Sequence, residues 1–286
     1  MPERQLYTAH LVRSISLSDR TKHLEFRVRE LPRFDFTAGQ FVSMKERHHE
    51  KEITRAYSIA SPPRADNSFD LCLNRVDEGF FSNYLCDLQE GADVKFHGPH
   101  GYFVMKQPVR DSIFIATGTG IAPMRGMLQW LYADPARYQR DKYQGTTSAV
   151  PKGEPEELSS RASATERREG APSEGSAVAS EHQFWLVFGS RVPADIYYHD
   201  EFLRLAATHP NFHYVPTLSR AGSDWQGLRG YVQEHVREIA RGRGAGSPTP
   251  ADAYICGLKN MVTANRDLLV KELGWDKKSV LYERFD

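Results

Sequence analysis

The strongest chemical signal in this sequence is a run that ends in Gly118-Thr119-Gly120-Ile121-Ala122-Pro123. Ile113-Phe114-Ile115-Ala116 reads as a short buried strand of a parallel sheet, Gly118 to Gly120 as a tight turn, and Pro123 as the opening of a helix. Glycine tolerates positive φ and lets main-chain N–H groups approach a ligand with no Cβ in the way. A helix start adds unpaired N–H donors and a positive dipole end, which suits the pyrophosphate of a dinucleotide. Pro123 takes the third position of the G-x-G-x-x-G fingerprint, so the spacing departs from that pattern. The same turn also occurs as plain architecture, and its neighbours must decide.

Arg55-Ala56-Tyr57-Ser58 lies on an expected strand, with Arg55 and Tyr57 on one face and Ser58 on the other. Arginine offers a bidentate fork for phosphate, tyrosine a flat stacking surface, and serine a hydroxyl that donates and accepts. An aromatic ring system joined to a phosphate needs these groups, although an edge arginine and a core tyrosine look the same in sequence. Gly79-Phe80-Phe81-Ser82 places Ser82 at an expected helix N-cap after a glycine turn, a second phosphate-type site or an ordinary cap. Gly98-Pro99-His100-Gly101 closes a strand in a turn, and the tail Ser279–Asp286 is β-like and nearly ends on the aromatic Phe285. His48-His49 sits in a run of charges, Lys45 to Glu52, read as a solvated loop rather than a metal site.

The elements that position these residues fall into two halves. Strand-like segments at Gln5–Ser16, Thr21–Arg29, Gly39–Met44, Arg55–Ala60, Ser68–Val76 and Asp93–His97 predict a six-stranded antiparallel β-barrel over residues 1–106. Beyond it, strands at Ile113–Ala116, Phe184–Phe188, Phe212–Pro216 and Ala253–Cys256 alternate with helices at Met124–Tyr132, Tyr198–Thr208, Gly230–Ala240 and Met261–Leu273. That order predicts an α/β, Rossmann-like domain with a parallel sheet over residues 107–286. Within it, residues 144–183 hold no aromatic and read as a disordered insertion.

Composition narrows the classes. In 286 residues, 37 Lys and Arg balance 37 Asp and Glu, so net charge offers no general attraction to nucleic acid or membrane. No run of about 18 apolar residues is present, which excludes a transmembrane helix, and Met-Pro-Glu-Arg-Gln lacks the core of a secretory signal. Cys72, Cys86 and Cys256 are too few for a disulfide framework or a four-cysteine iron–sulfur site, so a cytoplasmic protein is expected.

Six motifs then occur in a familiar order: Arg55-Ala-Tyr-Ser58, Gly79-Phe-Phe-Ser82, Gly98-Pro-His-Gly101, Gly118-Thr-Gly-Ile-Ala-Pro123, Cys256-Gly-Leu-Lys-Asn-Met261 and Glu283-Arg-Phe285. The order resembles the ferredoxin–NADP reductase superfamily and spans nearly the whole chain apart from the insertion. The resemblance implies FAD on the barrel and NADP(H) on the α/β domain. It assigns Arg55, Ala56, Tyr57, Ser58, Cys72, Leu73, Asn74, Gly79, Phe81, Ser82 and Phe285 to FAD. To the nicotinamide coenzyme it assigns Gly118, Thr119, Gly120, Pro123, Arg191, Ser219, Arg220, Arg229, Tyr231, Cys256 and Gly257. Ser58, Cys256 and Glu283 fall at the reaction centre, and Phe285 matches a terminal aromatic that covers the flavin. The loop after the adenosine strand shrinks here to Val76-Asp77-Glu78, so a tyrosine that stacks on FAD's adenine in the plastid enzymes has no equivalent.

The activity so implied is electron exchange between NADPH and a one-electron carrier, ferredoxin first and flavodoxin next, by a monomer and with no metal. Arg220 and Ser219 favour the 2′-phosphate of NADP. Trp225-Gln-Gly227-Leu-Arg-Gly230-Tyr-Val232, however, also resembles NADH-using oxygenase reductases. An NADH-dependent oxygenase reductase component and a non-catalytic flavin-binding subunit remain as alternatives. An acidic carrier would seek a basic rim, for which Arg27, Arg29, Arg33, Lys45, Arg47 and Lys51 are candidates.

Overall fold

Strand pairing splits the chain into two sheets that share one apolar seam. The computed structural model describes residues 5–133, 182–244, 246–247 and 250–285. In the first sheet, β1 (Tyr7–Ser18), β2 (Thr21–Val28), β3 (Phe41–His48), β4 (Lys51–Ser58), β5 (Ser68–Asn74) and β6 (Asp93–His100) run antiparallel in the order β4-β3-β6-β1-β2-β5. A bridge between Ile59 and Leu71 joins the two outer strands and closes the expected barrel. Its interior is a knot of phenylalanines, Phe26, Phe34, Phe69 and Phe96, with ring centroids 5.3–5.6 Å apart. Helix α1 (Phe80–Asp87) buries Phe81, Leu85 and Cys86 against the same core.

The second sheet runs in the order β10-β9-β8-β7-β11-β12, every pair parallel. Its strands are β7 (Ser112–Thr117), β8 (Phe184–Ser190), β9 (Phe212–Leu218), β10 (Leu228–Arg229), β11 (Asp252–Leu258) and β12 (Val280–Phe285). The helices are α2 (Ile121–Tyr132), α3 (His199–Thr208), α4 (Val232–Ala240) and α5 (Lys259–Asp267). β7 and β11 are buried over all but their last residues because both faces of the sheet are covered.

Three local expectations are corrected. The charged run Lys45–Glu52 is not a loop but the hairpin of β3 and β4. Its charges alternate across the strands, Lys45 pairs with Glu52 at 2.8 Å, and His48 stacks on Phe80 with centroids 3.9 Å apart. Ser82 is not the N-cap of α1: Gly79 holds that place, and the Ser82 hydroxyl turns back to accept from Val76 N–H at 3.0 Å. The helix expected to open at Pro123 opens at Ile121, behind a 3₁₀ turn formed by Gly118–Gly120. Of the expected insertion, only residues 182 and 183 lie among the described ones. Gln183 N–H donates to Asp111 Oδ1 at 3.0 Å and its carbonyl accepts from Ser112 N–H.

The seam has an apolar and a polar part. Ala38, Ala60 and Cys72 of the barrel join the core that contains Met127, Leu128 and Tyr197. Beside it, the Tyr197 hydroxyl is hydrogen-bonded to Thr21 Oγ1 at 2.8 Å, and His23 Nδ1 lies 2.9 Å from the Tyr198 hydroxyl. Burial, chiefly, pushes the His23 pKa down to about 4, with Asp70 opposing and the nearby arginines reinforcing the shift. His23 is therefore neutral in the fold, and the unfolded chain binds its proton first. Its share of stability is intact above the ordinary value of 6.5 and is lost as pH falls towards about 4. Urea unfolding should show a loss of about 2 kcal/mol through this residue from about pH 7 to about pH 5. In His23→Gln that part of the pH slope should be missing.

Candidate active site

Four chain segments from both sheets converge where the seam opens. β4 ends on Tyr57 and Ser58, β7 runs into the Gly118–Gly120 turn, β11 ends at Cys256 and Gly257, and β12 carries Glu283 and Phe285. Parallel register sets Glu283 opposite Cys256 and Phe285 opposite Leu258. Across the seam, the Ser58 hydroxyl donates to Glu283 Oε2 at 3.0 Å. The three residues expected at the reaction centre thus meet at one place. Burial raises the Glu283 carboxyl above its ordinary 4.5, and the Ser58 hydrogen bond partly offsets this. Burial, and then the Glu283 charge, raise the Cys256 thiol well above its ordinary value, so it stays protonated. Phe285 packs, half-buried, on the core shared by the two sheets.

The turn itself is fitted tightly to β11. Gly118 has φ 55, the positive φ expected of it, and a Cβ there would meet nothing within 4 Å. Gly120 needs glycine for another reason: its φ is −60, but a Cβ would sit 2.2 Å from the Cys256 carbonyl oxygen. Gly257, at φ 149, faces the Thr117 side chain, where a Cβ would lie 2.5 Å from Oγ1. Pro123 is buried inside the first turn of α2.

On the barrel side, register puts Tyr57 opposite Val42 and Ser58 opposite Phe41, so the two point to opposite faces as alternation requires. Tyr57 is half-buried with its ring 6.1 Å from Phe81, and burial pushes its hydroxyl pKa up. Arg55 is exposed, with one hydrogen bond to the Thr54 carbonyl at 2.9 Å. The start of α1 has neither a side-chain cap nor an acidic residue in its first turn. An exposed guanidinium, an uncapped helix start and a flat ring in sequence fit the donor set that a flavin dinucleotide requires. Ala56 lies between these residues on β4 and is exposed. Cys72, Leu73 and Asn74 face elsewhere. Cys72 is buried against Tyr198, its pKa pushed up to about 12 by that burial; Leu73 enters the barrel core; and Asn74 accepts from the Thr21 hydroxyl. Cys72 and Leu73 leave only main-chain groups for a ligand.

On the coenzyme side, the chain after β8 and the chain after β9 are joined by main-chain bonds, Ser219 N–H to Ser190 O and Arg220 N–H to Arg191 O, each 3.0 Å. Arg191, Ser219 and Arg220 are therefore neighbours and all exposed. Arg229 differs: its guanidinium donates to the carbonyls of Ala221, Gly222 and Trp225 at 3.1, 2.8 and 2.7 Å, so it braces the loop 221–225. Tyr231 stands 64% exposed at the start of α4, open to stacking. Half of the basic rim is neutralised: Arg29 pairs with Asp93, Arg33 with Asp35 and Lys45 with Glu52. Among the described residues, that leaves Arg27, Arg47 and Lys51 without an ion pair.

Sequence reading missed the buried polar set beneath the site. Arg125, two residues after Pro123, donates to the Ala60 carbonyl at 2.8 Å and to Glu201 at 2.9 Å, and Asp70 takes two 2.7 Å bonds from Arg64. An arginine in the second turn of an apolar helix was the available signal.

Comparison with known proteins agrees with the two-domain fold. A family model described as the oxidoreductase FAD-binding domain matches residues 8–105, and one described as the oxidoreductase NAD-binding domain matches residues 114–267. The chain is 36% identical to ferredoxin–NADP reductase B of Sorangium cellulosum, covering 100% of both chains. It is 28% identical to the reductase component of a Pseudomonas phenol 2-monooxygenase, over 95% of this chain and 63% of that protein. Among solved structures, a ferredoxin–NADP reductase from Neisseria gonorrhoeae superposes with a TM-score of 0.68 at 16% identity, covering 99% of each chain. An Amycolatopsis cytochrome P450 reductase gives 0.72 at 21% identity, over 98% of this chain and 70% of that one.

The fit of the turn to β11 has a measurable consequence. Gly120→Ala puts a methyl group against a main-chain oxygen that cannot swing aside, and should cost about 3 kcal/mol in urea unfolding. Gly118→Ala should cost less, through its positive φ alone, about 1 kcal/mol.

Proposed function

Because the chain belongs to the ferredoxin–NADP reductase family, we propose that it is an FAD-dependent oxidoreductase exchanging electrons between NADP(H) and a one-electron carrier protein, ferredoxin first and flavodoxin next. One observation carries the reading: Ser58 from the barrel and Glu283 and Cys256 from the parallel sheet meet across the seam, with Phe285 beside them. FAD, when bound, supplies the chemistry that takes a hydride from nicotinamide C4 at its N5 and passes the electrons on singly.

The chain's own residues bind, orient and shield. Tyr57 offers its ring as the floor for the flavin, while Arg55 and the uncapped start of α1, with Gly79, Phe81 and Ser82, take the pyrophosphate. Gly118, Thr119, Gly120 and Pro123 present main-chain donors to the coenzyme. Ser58 is held by Glu283 beside the reacting atoms, and Glu283, buried in the seam, is placed to hold or pass a proton there. Cys256, protonated and buried, and Gly257 form a close wall with no competing charge. Phe285, at the end of β12, would shield a flavin held at the site and would have to yield its place to nicotinamide. Arg191, Ser219 and Arg220 form the cradle for a 2′-phosphate, and Tyr231 the platform for the adenine next to it. Arg229 supports that cradle by holding the loop beside it.

A second reading, an NADH-dependent reductase component for an oxygenase, is favoured by the commitment of Arg229 to carbonyls, which leaves two cations for the phosphate. Steady-state rates with an artificial acceptor separate the two readings. NADPH should be preferred, and Arg220→Ala should raise KM for NADPH about tenfold while leaving NADH unchanged, the loss of one charge-assisted contact. A preference for NADH that ignores Arg220→Ala selects the second reading. A protein that cannot be loaded with FAD defeats both.

The Glu283 carboxyl, raised above 4.5, gives a further test. Its carboxylate is the form placed to take a proton at the site, so turnover should fall on the acid side as pH drops through that raised value. Glu283→Gln should keep FAD, turn over about tenfold more slowly, and lose this acid limb because an amide does not titrate.

A further inference from the structure

We propose that Arg125 and Gly126, in α2, are positioning residues that fix the coenzyme turn against the flavin strand and thereby set how far the two rings overlap. The inference rests on the function proposed above, but its evidence lies in residues assigned to neither cofactor. α2 follows directly from the Gly118–Gly120 turn, so a displacement of the helix displaces the turn.

Two independent features join this helix to the end of the flavin strand. The Arg125 Nη1 group donates to the Ala60 carbonyl at 2.8 Å, two residues beyond Ser58. Gly126 rests directly on the same stretch of chain, where a Cβ would stand 2.8 Å from the Ser61 carbonyl oxygen and 3.3 Å from that of Ile59. An ion pair serving only stability has no need of a glycine beside it. The glycine is required because two main chains approach more closely than a side chain allows. On its other flank the turn is held by Gly120 against the Cys256 carbonyl. The coenzyme turn is thus gripped between the segment that carries Tyr57 and Ser58 and the segment that carries Cys256.

The surroundings of Arg125 leave its guanidinium little freedom. Its side chain is 12% exposed, Nε donates to Glu201 at 2.9 and 3.1 Å, and its plane lies 4.6 Å from the Tyr198 ring centroid. Asp70, 2% exposed, approaches at 3.5 Å, but its two 2.7 Å bonds come from Arg64. Removing Arg125 therefore strands no buried charge: Asp70 keeps Arg64, and Glu201, 28% exposed, turns to water.

The test uses the FAD-loaded enzyme and three variants, Arg125→Met, Arg125→Lys and Gly126→Ala. Dissociation constants for FAD and NADP⁺, the stopped-flow rate of flavin reduction by NADPH, and the long-wavelength charge-transfer absorbance of stacked nicotinamide and flavin are measured for each. Both affinities should stay within about twofold of wild type in Arg125→Met and Gly126→Ala. Flavin reduction should slow about tenfold or more and the charge-transfer absorbance should weaken, since misplacement on the order of 1 Å suffices for such losses. Arg125→Lys, which keeps a donor for the Ala60 carbonyl, should recover part of both. Undiminished flavin reduction in Arg125→Met or Gly126→Ala overturns the proposal, as does a rate loss fully matched by lost affinity. If Arg125→Met fails to fold, Gly126→Ala decides by the same criteria. A wild-type holoenzyme that NADPH cannot reduce contradicts the proposed function instead.

Discussion

Everything at the candidate active site depends on a seam that does not slide. Ala38, Ala60 and Cys72 on one side and Met127, Leu128 and Tyr197 on the other are parts of one core, not two surfaces in loose contact. Close-packed interiors transmit displacement instead of absorbing it, so the ends of β4, β7 and β11 keep their relation as if they belonged to one rigid block. Short-range chemistry between two stacked rings requires that constancy, because the rate of transfer falls steeply as reacting atoms separate. The polar half of the seam adds direction to this packing. Asp70 pairs with Arg64, and Arg125 with Glu201, so that each of these charges meets an opposite one beside the neutral His23.

β12 completes the site at the sheet edge. As the outermost strand it has one neighbour, and its parallel register with β11 alone sets Glu283 beside Cys256 and carries its carboxyl to Ser58. The acidic group at the centre therefore comes from the end of the chain and its partner serine from near the beginning, so the site is complete only when both layers are.

Much of this was legible in the sequence, for definite reasons. Antiparallel alternation over Thr21–Arg29 and Ser68–Val76, and the continuous apolar run Ile113–Ala116, are signatures that burial imposes directly on side-chain order, and they gave the barrel and the parallel sheet. Gly118 was legible because a positive φ leaves glycine as its trace. Gly120 was read as glycine for the wrong reason, since its constraint is the Cys256 carbonyl, a residue far away in sequence. Ser82 misled because the side chain that caps a helix and one that folds back within its first turn are identical in sequence. The Lys45–Glu52 hairpin was hidden by its charges, of which Lys45 and Glu52 pair across the strands. Arg229 is the sharpest case: its position suggested a phosphate contact, and only the fold revealed three carbonyls already waiting for it. For Gly120 the missing term was a long-range neighbour; for Ser82, Arg229 and the hairpin it was a local partner whose geometry only the fold sets.

The place of β7 in its sheet has a consequence for assembly. It is the earliest strand of the second layer along the chain, yet it lies in the interior of that sheet, flanked by β8 on one side and by β11 on the other. Ile113, Phe114 and Ile115, all fully buried at the end, have no second strand partner until residues 252–258 have emerged. Pairings between segments so distant in sequence close slowly, and an apolar strand left half-paired is a surface that other chains can capture. The barrel, whose pairings all lie between Tyr7 and His100, is able to form first and offer Ala60 and Cys72 as a template on which that strand and α2 shelter during synthesis.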